Sequence, residues 1–119
     1  MHTDPSCVFC KIVAGQIPSR KLYEDDEFLA FHDIAPWAPV HFLIIPKAHW
    51  VSMADLGPDQ EGMMGRLMML APRLALEAGC RPGPEGGFRM VCNTGAEGGQ
   101  EVLHLHWHVM GGPRPWARG

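Results

Sequence analysis

The stretch "HLHWHVMGG", His104 to Gly112, constrains this chain more than any other. Successive side chains of a β-strand point to opposite faces, so residues two apart share a side. Read as a strand, the run sorts Leu105, Trp107 and Val109 onto an apolar face. His104, His106 and His108 then form a stripe of imidazoles about 7 Å apart on the other face. The pattern predicts a core on one side and a site on the other. A single histidine on such a face would be ordinary; three in register point to function. Their alternation with core residues does not fit a contiguous terminal affinity tag.

The chain has 119 residues, which predicts one domain, 1–119, burying about two-thirds of its unfolded surface. Hydrophobic residues make up 46% and charged residues 19% of it. These are globular proportions, and no apolar run approaches the ~18 residues of a membrane span. The N-terminus, "MHTDPSCVFC", lacks a basic segment followed by a long apolar stretch. The expectation is therefore a soluble cytoplasmic protein, away from membranes, whose Cys7, Cys10, Cys80 and Cys92 stay reduced or bind metal. A formal net charge of −3 argues against polymeric nucleic acid, whose binding draws on Lys and Arg, and leaves a single nucleotide open.

Along the chain, "CVFCKIVAG" reads as a short helix closed by a left-handed Gly15. "RKLYE" and "EFLAFHD" read as a hairpin about Asp25 and Asp26, and "APWAP" as a proline-rich corner. "HFLIIP" reads as a central strand ended by Pro46. From Pro58 to Gly79 a helix is predicted, with Met63, Leu67, Leu70, Leu74 and Ala78 as its apolar stripe. Pro72 is expected to kink or split it. The methionines at 63, 64, 68 and 69 exceed one narrow stripe, so they either fill the core or meet another subunit. "GFRMVCN" is the next strand, followed by the glycine-rich loop "TGAEGGQE" and the histidine strand. The fold class expected is α+β: a five-stranded, mainly antiparallel sheet with one long helix and a short N-terminal one.

A neutral imidazole can act as nucleophile, general base or metal ligand near pH 7. Gly95, Gly98 and Gly99, just before the stripe, either bring backbone amides close to an anion or merely close a tight connection. Cys7 and Cys10 have the C-x-x-C spacing by which two thiolates share a zinc ion, or they are two buried thiols one helical turn apart. Cys80 and Cys92 read as inert apolar residues, and neither His2 nor His32 has an assigned role.

The chain closely resembles the histidine triad (HIT) superfamily, in particular its Hint branch of nucleotide-binding phosphoramidases. "HLHWHVM" matches the triad motif, and the likeness continues through "CVFCKI", "IPS", "YEDDEFLAFHDIAPWAPVHFLIIPKAH", "NTGAEGGQ" and the terminal "GG". That resemblance implies a homodimer sharing a continuous sheet. It implies a purine nucleotide or nucleoside phosphoramidate substrate, no catalytic metal, and catalysis by His106, His108, His41 and His104. His106 would attack the α-phosphorus to form a nucleotidyl-histidine, His108 would contact the phosphate, and His41 would support the cluster. Asn93 and the amides near Gly99 and Gln100 would hold phosphate oxygens. Asp33 would hold the ribose hydroxyls, or else serve as a turn residue before Pro36. Phe9, Phe31, Ile34 and Leu43 resemble the apolar slot for the base.

Some relatives of this kind complete a structural zinc site with residues matching His49 and His104, beside Cys7 and Cys10. At position 101, where many relatives carry Ser or Thr, this chain has Glu101, which would repel a phosphate. A strand already regular there would turn Glu101 away from the triad. Otherwise Glu101 sits at the pocket rim and favours cationic leaving groups. Trp116, in the tail "PRPWARG", resembles tails that reach the partner's pocket, but the tail differs in length and composition and receives no role. Two alternatives remain: a zinc-dependent hydrolase with the triad as metal ligands, and a low-turnover nucleotide-binding scaffold.

Overall fold

The computed structural model describes residues 2–117. Five antiparallel strands form one sheet in the order β1-β2-β3-β5-β4. They are β1 (Lys21–Glu24), β2 (Phe28–His32), β3 (Val40–Pro46), β4 (Phe88–Val91) and β5 (Trp107–Gly111). Helix α1 (Val8–Val13) precedes the sheet, and α2 (Glu61–Glu77) links β3 to β4. The expected α+β architecture is the observed one.

The β1–β2 hairpin turns at Asp25, whose carboxylate accepts from the Glu27 and Phe28 amides, each at 2.7 Å. Alternation along the central strands sorts side chains onto two faces. Phe42 and Ile44 of β3 and Trp107 and Val109 of β5 pack with Leu67, Ala71 and Leu74 of α2. Leu43 and Ile45 of β3 join Leu29 and Phe31 of β2 and Phe9 and Ile12 of α1 on the opposite face. Leu105 joins the α2 side, completing the apolar set predicted from the odd positions of the histidine run.

The expected long helix is observed, with two refinements. The predicted helix from Pro58 starts as a 3-10 turn, Pro58–Gln60, and becomes α-helical only at Glu61. Pro72 does not split α2, which runs through it. Pro72 is exposed and Met68, whose carbonyl loses a partner, is 42% exposed, so the missing amide falls where water can serve that carbonyl. Of the four methionines Met63 is core, while Met69 is 78% exposed. A further 3-10 turn, Met53–Asp55, was not anticipated; Ser52 and Asp55 cap it reciprocally.

Candidate active site

Strands β3 and β5 are neighbours with Leu43 opposite His108 and His41 opposite Met110. Phe42 and Ile44 face α2, so His41 and His108 emerge together on the α1 face. His41 is 3% exposed and His108 9%. Their rings meet through His41 Nε2 and His108 Nδ1 at 2.9 Å. The proton positions follow from the neighbours. The Trp37 amide donates to His41 Nδ1 at 3.0 Å, so neutral His41 carries its proton on Nε2. His41 therefore donates to His108 Nδ1, which leaves the His108 proton on Nε2. Burial is the largest cause that lowers both pKa values, His108 to about 4, and so keeps both rings neutral near pH 7. Trp37 also stacks on the His108 ring, with centroids 5.4 Å apart and planes at 14°.

His106 is fixed in the complementary sense. Its Nδ1 lies 2.7 Å from the His104 carbonyl. A carbonyl only accepts, so Nδ1 carries the proton and Nε2 keeps its lone pair. Phe9 packs edge-on against the ring, at 5.3 Å and 90°.

His106 and His108 border a cavity of about 370 Å³ together with Phe9, Asp33, Trp37 and Leu43 on one flank. Asn93, Gly98, Gly99, Glu101 and Val102 complete its wall. Asp33 serves the turn, as one of its two expected roles had it, its Oδ1 accepting from the Ala35 amide at 2.8 Å, while Oδ2 stands 3.5 Å from His41 Nε2 and the residue borders the cavity.

Several predicted residues lie elsewhere. The three triad histidines do not share a strand, because β5 begins only at Trp107; the preceding backbone turns aside and the Leu105 amide donates to Trp50 at 2.6 Å. Ile34 is fully exposed, so it adds nothing to an apolar slot in this chain. Phe31 is 5% exposed and sits in the core edge-on to Phe9, beneath the wall and not on it. The Gln100 side chain is used structurally, accepting from the Gly95 amide and donating to the Val51 and Val102 carbonyls. The amides expected to cradle phosphate close the loop instead: Gly99 donates to Ala96, and both Gly98 and Gln100 donate to Gly95. A Cβ at Gly98 would collide with the Thr94 carbonyl, so tight connection explains that glycine. Glu101 precedes the strand, so the alternation that would have turned it away does not operate, and it borders the cavity. Trp37 was missed. Its place between two prolines, four residues before His41, was the available signal.

His104 belongs to a second cluster. Its Nε2–H donates to the Pro46 carbonyl at 2.8 Å, leaving Nδ1 bare. That nitrogen lies 3.3 Å from Cys7 Sγ, 3.6 Å from Cys10 Sγ and 3.2 Å from His49 Nδ1. Cys10 Sγ is 3.4 Å from His49 Nδ1. Bonds of about 2.3 Å to sulfur and 2.0–2.1 Å to nitrogen separate tetrahedral ligand atoms by about 3.3 Å for N/N and about 3.6 Å for S/N. The four residues thus have the donor set and spacing to hold a tetrahedral metal ion. Burial lowers the His104 pKa to about 4, which keeps the ring in the neutral form a ligand needs. Among the described residues the other group able to hold a metal is Asp33, His41 and His108; His104, His106 and His108 do not form one. The alternative of the triad as a single metal's ligand set is therefore set aside. Cys80 and Cys92 are raised by burial, Cys92 to about 11, as unreactive thiols would be.

The sheet and its histidine cluster define a histidine-triad protein. The chain belongs to that family: the family model for the HIT domain matches residues 14–114. Protein HitA of Neisseria gonorrhoeae is 45% identical over 108 residues, which is 91% of this chain and 97% of that protein. The purine nucleoside phosphoramidase of Escherichia coli (strain K12) is 41% identical over 105 residues, 88% of this chain and 86% of that enzyme. Among solved structures, a histidine triad protein from Clostridium difficile superposes with a TM-score of 0.86 at 41% identity, over 95% of this chain and 96% of that one. A HIT family hydrolase from Legionella pneumophila Philadelphia 1 gives 0.85 at 41% identity, covering 92% and 95%. The chain is a hydrolase of the HIT family.

Proposed function

We propose that this hydrolase cleaves purine nucleoside 5′-phosphoramidates to the nucleoside monophosphate and an amine, through a nucleotidyl group on His106. The observation that carries the reading is the bare Nε2 of His106, set by the Nδ1 hydrogen bond to the His104 carbonyl, on a ring that borders the cavity. In the first step the Nε2 lone pair forms an N–P bond. The P–N bonding pair departs with the amine nitrogen, which takes a proton from water. In the second step water attacks phosphorus, the pair returns to Nε2 and a proton is released, so one water is consumed overall. His108, with its proton on Nε2, donates to a phosphate oxygen, and Asn93 offers its amide from the loop side. Asp33 Oδ2 accepts from the ribose hydroxyls, and Phe9 and Leu43 give the base apolar contact.

Cys7, Cys10, His49 and His104 would hold zinc, which four protein ligands make structural; it supplies rigidity by tying α1 to the approach to β5. We further propose a homodimer, and a cytoplasmic location in which the free cysteines stay reduced. The 41% identity to a purine nucleoside phosphoramidase supports the substrate class.

Incubation with adenosine 5′-phosphoramidate followed by mass analysis should detect a nucleotidyl adduct on His106. His106→Ala should lose turnover by at least about a thousandfold while still binding adenosine monophosphate. Full turnover by His106→Ala would refute the mechanism, and turnover too slow to measure in the native protein would favour a nucleotide-binding scaffold.

A further inference from the structure

The wall of the catalytic cavity contains two carboxylates, Asp33 and Glu101, and neither Lys nor Arg among the described residues. Burial keeps His108, the imidazole that faces a phosphate in the proposed function, neutral near pH 7. The Gly98, Gly99 and Gln100 amides are engaged within the loop. A phosphoramidate brings one negative charge of its own, so bound substrate and site together carry excess negative charge. Such a site discriminates by the charge that arrives with the rest of the substrate.

We infer that Glu101 is a specificity-determining residue, whose carboxylate selects leaving amines that carry a further positive charge. The inference rests on the phosphoramidate reading above and names the leaving-group class within it. Glu101 is exposed and, among the described residues, forms neither an ion pair nor a hydrogen bond, so no structural partner claims its carboxylate. With Val102 it also borders a second recess of about 340 Å³, which Asp4 lines. The Ser6 amide and hydroxyl donate to Asp4 Oδ1 at 2.9 and 2.7 Å. An amine substituent leaving past Glu101 into that recess meets negative charge along its way.

Unit charges about 12 Å apart near a protein surface change a rate by about tenfold. The test compares two adenosine 5′-phosphoramidates, one made from diaminobutane, with a free ammonium at its far end, and one from pentylamine, its neutral counterpart. The native protein should favour the diaminobutane compound about tenfold in kcat/KM, and the preference should shrink as salt rises from about 20 mM to about 500 mM. Glu101→Gln should slow the cationic substrate and speed the neutral one until they agree within about twofold. Glu101→Lys should invert the order. An unchanged ratio in Glu101→Gln, or a native preference indifferent to salt, overturns the assignment of Glu101 while leaving the phosphoramidase reading intact. Failure of the native protein to cleave either compound overturns both.

Discussion

At His108 the ordinary imidazole pKa, near 6.5, is lowered to about 4, chiefly by burial and then by the neighbouring His106 and His41 rings. In the unfolded chain the same ring protonates near pH 6.5, so the unfolded state takes up the proton first as pH falls. Stability due to neutral His108 is thus fully present above pH 6.5 and lost between there and about pH 4, amounting to about 3 kcal/mol. Thermal unfolding from pH 7.5 to 4.5 should show a steep decline in the native protein and a shallower one in His108→Asn. Equal slopes would mean that the ring is solvated. The same residue shows what could be read in advance: three histidines at alternate positions announce a reactive surface. Their tautomers could not be foreseen, because they depend on Trp37, Pro46 and the His104 carbonyl, which only folding brings into contact.

Within the elements, α2 is the clearest case of pattern dictating packing. Leu67, Ala71 and Leu74, at helical spacing, are fully buried against the sheet. Leu74→Ala should cost about 3 kcal/mol in urea denaturation, since the cavity it leaves has no solvent to fill it. Gly65, on the exposed side, has open space where a Cβ would go, so Gly65→Ala should stabilise by about 0.5–1 kcal/mol in the same assay. A loss instead would show that another surface closes over that face. The histidine strand was less legible. Alternation cannot say where pairing begins, and β5 pairs with β3 only from Trp107 onward, opposite Ile44. The three imidazoles consequently divide between two clusters.

Across the whole molecule, the Cys7–His104 contact joins residues 97 apart in sequence. Cys7 also caps α1, its sulfur accepting from the Cys10 amide at 3.3 Å. A metal held there fixes α1, which carries Phe9, against the backbone that orients His106. Chelation, or Cys10→Ser, should lower Tm by at least about 10 °C. At 25 °C the His106 adduct should still form, because the nucleophile is not one of the ligands. Loss of adduct in protein that remains folded would make the metal part of the chemistry.

Sequence alone determined the main strands and helices, their two-faced patterning and the C-x-x-C pair, because hydrophobic period, caps and motif spacing are properties of neighbours along the chain; His49 and His104 as its companions came from the resemblance to the HIT family. Tertiary structure decided which imidazole nitrogen is bare, that the loop amides serve the loop, and that Ile34 faces solvent while Glu101 and Trp37 face the cavity. Those outcomes depend on hydrogen-bond partners and burial supplied by segments remote in sequence, and on a strand boundary set by pairing and not by composition.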